Sequence, residues 1–172
     1  IPETDELPVG TAYVAWSSAA AEPVTTVSPR LTGLPADLDP RIRDLADRVA
    51  GRCATDREKT TAVERYFLDN YQYRFGIEAD PLTYFLLEKP PAHCEYFASG
   101  AAVLLRAVGV PCRYVTGFVV AERNEYGGYW LARNRDAHAW VEAFDRQRGW
   151  VLVEATPAGG VPQVSSAPRA GQ

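Results

Sequence analysis

The stretch that most constrains this chain runs from Cys94 to Val108, "CEYFASGAAVLLRAV". Read at helical spacing, Phe97, Ala98, Ala101, Ala102, Leu104, Leu105 and Val108 place apolar or small side chains on almost every face. A helix apolar nearly all round must be covered on all sides, and its small residues let neighbours come close. Pro90 and Pro91 block the preceding helical stretch from running on into it, while Gly109 and Pro111 stop it. The rest of the chain therefore has to wrap this segment. With 172 residues and 47% apolar content it can do so without staples, since a chain of this length buries about 70% of its unfolded surface.

The covering elements are legible on either side. Asp39 as N-cap and Pro40 at the first helical position open a helix closing near Gly51. "TDRE" is a capping box from Thr55 to Glu58 for a second helix, which turns Ala62, Val63, Tyr66 and Phe67 inward and ends near Asn70. "NYQYRF" is expected to be extended, and "DPLTYFLL" repeats the Asp–Pro start for one or two turns. After Pro111 the pattern changes to β-formers. "CRYVTGFVVA", "GYWLAR", "HAWVEAF" and "GWVLVEA" predict four strands of an antiparallel sheet, with "EYGG" and "DRQRG" as hairpin turns. Helices followed by strands give an α+β fold, with the cysteine-bearing helix packed on the sheet. The division expected is a strand pair or the end of a preceding domain over 1–30, a main domain over 31–157, and an unpacked tail over 158–172.

Composition removes several function classes. The net charge is −4 and no basic block exists, so no nucleic-acid partner is expected. Three cysteines without C-x-x-C spacing argue against structural zinc, and two buried free thiols at Cys53 and Cys112 are favoured over a disulfide. No run of 18 apolar residues or signal-peptide pattern occurs. The chain begins at Ile1 and has no methionine, so it reads as an excised piece of a longer protein whose compartment stays open.

Chemistry gathers around Cys94. A thiol in the first turn of a helix faces free backbone N–H groups, which favour thiolate and can also hold an oxyanion. On that ground Cys94 is expected to titrate below the free-thiol value of about 8.5. A nucleophile needs a base and a group orienting it. His93 adjoins Cys94 in the entry turn, where adjacent side chains diverge. His138 opens the third predicted strand, and Glu154 closes the fourth. Counting back across "DRQRG" makes His138 and Glu154 cross-strand neighbours on one face. Cys94, His138 and Glu154 are thus a candidate triad, with Asp136 as an alternative orienting group. Tyr73, as a second oxyanion donor, and His93, Glu95 and Tyr96 are candidate cleft residues. Plainer readings stand beside these: Cys94 as a small core residue, His138 as a buried structural histidine, Glu154 as a surface carboxylate, and Trp130, Trp140 and Trp150 as sheet packing. A metal site of Cys94, His138 and Glu154 lacks a convincing fourth ligand, so no metal or other cofactor is expected.

"HCEYFASGAAVLLRAVGVPCRYVTGF", "DAHAWVEAF" and "GWVLVEATP" together resemble the three blocks of the transglutaminase-like superfamily, over about Leu34 to Pro157. "LPADLDPRIRDLA" and "NYQYRF" are similar to the lead-in of its bacterial members, often parts of membrane-anchored proteins. The resemblance implies a papain-like α+β fold, a protein or peptide substrate and acyl transfer through a thioester: proteolysis, deamidation or transglutamination. It departs at one position, because the family's usual third residue is Asp and this chain has Glu154. The extra methylene demands a small retreat of the backbone or another rotamer. The rival of another class is an inactive peptide- or glycan-binding module. An arylamine N-acetyltransferase is disfavoured, since no Arg-Gly-Gly-x-Cys precedes Cys94.

Overall fold

The local signals at Asp39–Pro40 and Thr55–Glu58 start helices as the sequence predicts. The computed structural model describes residues 27–76, 81–120, 122–124 and 126–162. Helix α1, Pro40–Ala50, begins where the Asp39 carboxylate accepts the Arg41 N–H at 2.9 Å. Helix α2, Asp56–Asn70, carries the full capping box: Thr55 Oγ1 accepts from Glu58 N at 3.2 Å, and Glu58 Oε2 accepts from Thr55 N at 3.3 Å. Such reciprocal caps satisfy two of the helix's orphan donors. Helix α3, Leu82–Glu88, has Pro81 as its N-cap and no side-chain cap; Asp80, the expected cap, lies outside the described residues. The stretch 71–76 is non-helical, and Tyr73 forms a lone parallel bridge with Ala92.

Helix α4, Cys94–Ala107, is the buried centre. It ends at Gly109, whose φ of +79° is the left-handed conformation that glycine adopts without strain. Mid-helix Gly100 serves close approach, because a Cβ there would lie 2.9 Å from Phe67 Cζ. Around it Phe67, Tyr71, Phe85 and Phe97 form an aromatic knot, with Phe97 edge-on to the other three at centroid distances of 5.4 to 6.2 Å. The Tyr71 hydroxyl is buried and donates to the Leu86 carbonyl at 2.9 Å, so its polar end is satisfied.

The opposite layer is a three-stranded antiparallel sheet of β1 (Cys112–Phe118), β4 (Ala137–Asp145) and β5 (Gly149–Val153), in the order β1-β4-β5. Ala139, Val141 and Ala143 of β4 join the helical core. By strand alternation His138, Trp140 and Glu142 take the other face. One expectation is corrected here. "GYWLAR" supplies β3 (Tyr129–Leu131), but among the described residues this strand pairs only with β2 (Glu122–Asn124), in a separate hairpin across the "EYGG" turn. Trp130 is correspondingly 61% exposed rather than packed on the main sheet.

A second correction concerns the tail. Residues 158–160 form a 3-10 turn against the body, and a Cβ at Gly160 would fall 2.0 Å from Tyr73 Cδ2. Glycine lets the backbone at Gly160 lie on the tyrosine ring, so the first residues of the expected tail pack on the body, while 163–172 lie outside the described residues. The strand pair expected over 1–30 falls almost wholly outside the described residues; Pro29–Thr32 is a short 3-10 turn. All three cysteines are free, and Cys112 is fully buried. No helix among the described residues is long and apolar enough to cross a membrane.

Phe97 is fully buried at the junction of α2, α3 and α4. Phe97→Ala should destabilise the protein by about 3–5 kcal/mol, read as a lowered midpoint in urea unfolding. A cost under about 1 kcal/mol would show that the aromatic knot is not the centre of the core.

Candidate active site

Three elements deliver the chemistry. The bridge between Tyr73 and Ala92 ties the 71–76 segment to the residue two before Cys94: Arg74 N donates to Ala92 O at 2.8 Å and Ala92 N to Gln72 O at 3.1 Å. This fixes the entry to α4, with His93 as N-cap lacking a side-chain cap bond and Cys94 as first helical residue. Across from it, β4 presents His138 and Ala139. Cys94 and His138 line one open cavity of about 970 Å³, together with Tyr73, His93, Glu95 and Ala139.

The sheet register sets the imidazole. Val141 pairs with Val153, so continuing the ladder puts Trp140 opposite Glu154, with His138 diagonal to it on the same face. His138 Nε2 and Glu154 Oε2 are 2.7 Å apart, and the His138 side chain is only 2% exposed. Strand β5 ends at Val153, and the carboxylate folds back so that Oε1 accepts the Thr156 N–H at 2.9 Å. The Glu154 backbone N–H is held in turn by Glu64 Oε1 of α2 at 3.2 Å. Trp140 stacks on the imidazole at 6.2 Å and 20°. With Nε2 engaged, Nδ1 is the remaining ring nitrogen, buried and without a partner among the described residues.

Asp136, the alternative orienting group, is used elsewhere: its Oδ2 accepts the Arg133 N–H at 2.8 Å and closes a 3-10 turn. His93 and Glu95 line the cavity, whereas Tyr96 does not; it packs on Phe85 and edge-on to His93. Among the described residues no cluster of three or more His, Cys, Asp or Glu side chains is placed to hold a metal ion.

The thiol differs from expectation. Burial pushes the Cys94 thiol above its ordinary range. The Ala139 N–H opposes this, the Glu95 carboxylate adds to it, and the N–H groups of Glu95 and Cys94 itself oppose it again. The helix-start position is present, but desolvation outweighs it. The phenols of Tyr73 and Tyr114 are also pushed up, by burial first and partly by the sulfur's charge, with Glu95 ahead of the sulfur at Tyr114. Both therefore stay protonated donors within electrostatic reach of Cys94.

Sequence reasoning missed the cavity walls formed by Thr116, Gly117, Phe118 and 159–162. One signal was available. A glycine inside a strand marks a close approach, and a Cβ at Gly117 would lie 2.8 Å from Trp140 Cη2, the ring that stacks on His138.

A model of the transglutaminase-like superfamily matches residues 43–155. The chain is 32% identical over 150 residues to the protein-glutamine gamma-glutamyltransferase of Pseudomonas aeruginosa, covering 83% of this chain and 22% of that protein. The chain belongs to the transglutaminase-like superfamily. The Bacillus subtilis protein YebA is 33% identical over 145 residues, covering 76% of this chain and 19% of its own length. Among solved structures, the periplasmic domain of TgpA from P. aeruginosa superposes with a TM-score of 0.67 at 31% identity, over 76% of this chain and 48% of that one. This transglutaminase-like chain thus spans about a fifth of its curated relatives, and the papain-like α+β fold is the one it shares with its structural neighbours.

Because the thiol is raised, its thiolate fraction at neutral pH is small and grows with alkalinity. Alkylation of Cys94 by iodoacetamide, followed by peptide mass mapping, should keep accelerating above pH of about 8.5. A rate already level below neutral pH would show a preformed thiolate instead.

Proposed function

We propose that this domain is a cysteine-dependent acyl-transfer enzyme acting on carboxamide or peptide carbonyls, with Cys94, His138 and Glu154 as its catalytic residues. The observation carrying this reading is the 2.7 Å contact between His138 Nε2 and Glu154 Oε2 beside a cavity that also holds Cys94. The Glu154 carboxylate fixes Nε2 as the donor nitrogen and leaves Nδ1 to exchange a proton with the thiol. Cys94 waits as a thiol and gives its proton to Nδ1 as the sulfur attacks the carbonyl carbon. Negative charge passing to the carbonyl oxygen meets backbone N–H groups at the start of α4. The C–N bond then breaks, and the imidazolium returns its proton to the departing nitrogen. Ammonia leaves from a glutamine side chain, or an amine from a peptide bond. The thioester is resolved by water or by a primary amine.

The name of the P. aeruginosa relative supports protein glutamine as the acyl donor. A protein or peptide substrate also suits the site, since the cavity is open and flanked by exposed Phe75 and Phe118. The same chemistry run with water would give deamidation or cleavage, which is why the acceptor is tested together with the donor.

Incubation with a glutamine peptide, with and without a primary amine, should give mass changes for amine incorporation or deamidation. Cys94→Ala should abolish them by about a thousandfold or more while changing stability by less than about 1 kcal/mol. Turnover surviving in Cys94→Ala would refute the assignment.

A further inference from the structure

The backbone of β1 offers a binding site of its own. In an antiparallel ladder successive residues turn their N–H and C=O groups alternately towards and away from the partner strand. Two bonds fix the phase here: Phe144 N donates to Pro111 O, and Val119 N donates to Asp136 O, each at 2.8 Å. Residues 111, 113, 115, 117 and 119 therefore face β4, in keeping with the register Val115↔Trp140 and Gly117↔His138. Tyr114, Thr116 and Phe118 turn their backbone groups to the other side. β1 is an edge of the sheet, and among the described residues no strand pairs with that side. Among the described residues, the outward carbonyl of Cys112 alone is taken, by Arg106 Nη2 at 3.1 Å.

This open edge runs into the reaction cavity. Thr116 and Phe118 line it, and the Tyr114 phenol feels the charges of Glu95 and Cys94. The side chains of these three residues share one face, so an extended segment laid along the edge would meet them in turn. An edge strand with unpaired groups is a template for another strand, and strand addition is a general mode of peptide recognition. We propose that the polypeptide acyl donor binds as an added β-strand on Tyr114–Phe118, which delivers its reacting carbonyl to Cys94. The occupant is an extended, unstructured segment, because only extended backbone can match groups spaced at every second residue. A helix or a folded surface would leave them unpaired. This rests on the reading of Cys94 as the group that takes the acyl moiety, and adds how the donor is recognised.

The test uses the full chain and a synthetic acetylated glutamine peptide. Amide hydrogen exchange of Cys94→Ala is followed with and without peptide, alongside wild-type turnover of a series N-methylated at one peptide residue at a time. Expected is new protection at Tyr114, Thr116 and Phe118, whose amides exchange fast without peptide. N-methylation at alternate peptide residues should lower kcat/KM about tenfold or more, with little effect at the residues between. Peptide turnover without that protection would overturn the proposal while leaving the acyl-transfer reading intact. The same holds for amides already protected before peptide is added, which would mean that the chain covers its own edge. Protection by peptide in a wild-type protein that turns nothing over would support strand binding and count against the acyl-transfer reading instead.

Discussion

The register of β4 against its two neighbours is the constraint on which the site depends. Pairing Val141 with Val153 brings Glu154 within 2.7 Å of an imidazole on the adjoining strand, and pairing His138 with Gly117 leaves room for Trp140 to stack on it. A slip of one residue would turn the side chain of His138 to the helical face, away from Glu154, since side chains alternate. The register is itself held by the core, because Ala139, Val141 and Ala143 must meet α4 while Val153 and Ala155 close the same cluster. The packing that stabilises the fold and the geometry that aligns the polar pair are therefore one arrangement.

Burial has two consequences at the candidate site. It holds the imidazole with a single partner, and it raises the thiol rather than lowering it. A buried thiol gains from an adjacent base more than an exposed one does, because water cannot take its proton. In the proposed reaction, proton transfer would therefore be coupled to attack rather than start from a standing thiolate. Tyr73 lines the same cavity as Cys94, and burial keeps its phenol protonated.

What the sequence shows is chiefly what is local. Asp39–Pro40, Thr55–Glu58 and the Cys94 helix start are settled by groups a few residues apart, and each appears where the residues put it. The family blocks made the fold legible as well. "GYWLAR" alternates like any strand, but whether it joins the main sheet depends on a partner its own residues do not name. Gly160 looks like part of a loose tail until Tyr73 is seen beneath it. Tyr114 reads as an ordinary strand residue, because its nearness to Cys94 follows from how β1 passes the end of α4. The direction of the thiol's shift was illegible for the same reason: the helix start is written in the sequence, and the desolvation is tertiary.

The most direct test of a Cys94–His138–Glu154 unit is a double-mutant cycle in kcat/KM, with unfolding curves confirming that each variant folds. If Glu154 acts by orienting and stabilising His138, then His138→Ala with Glu154→Gln costs little more than His138→Ala alone. Effects that simply add would mean that the carboxylate works independently of the imidazole, contradicting the account.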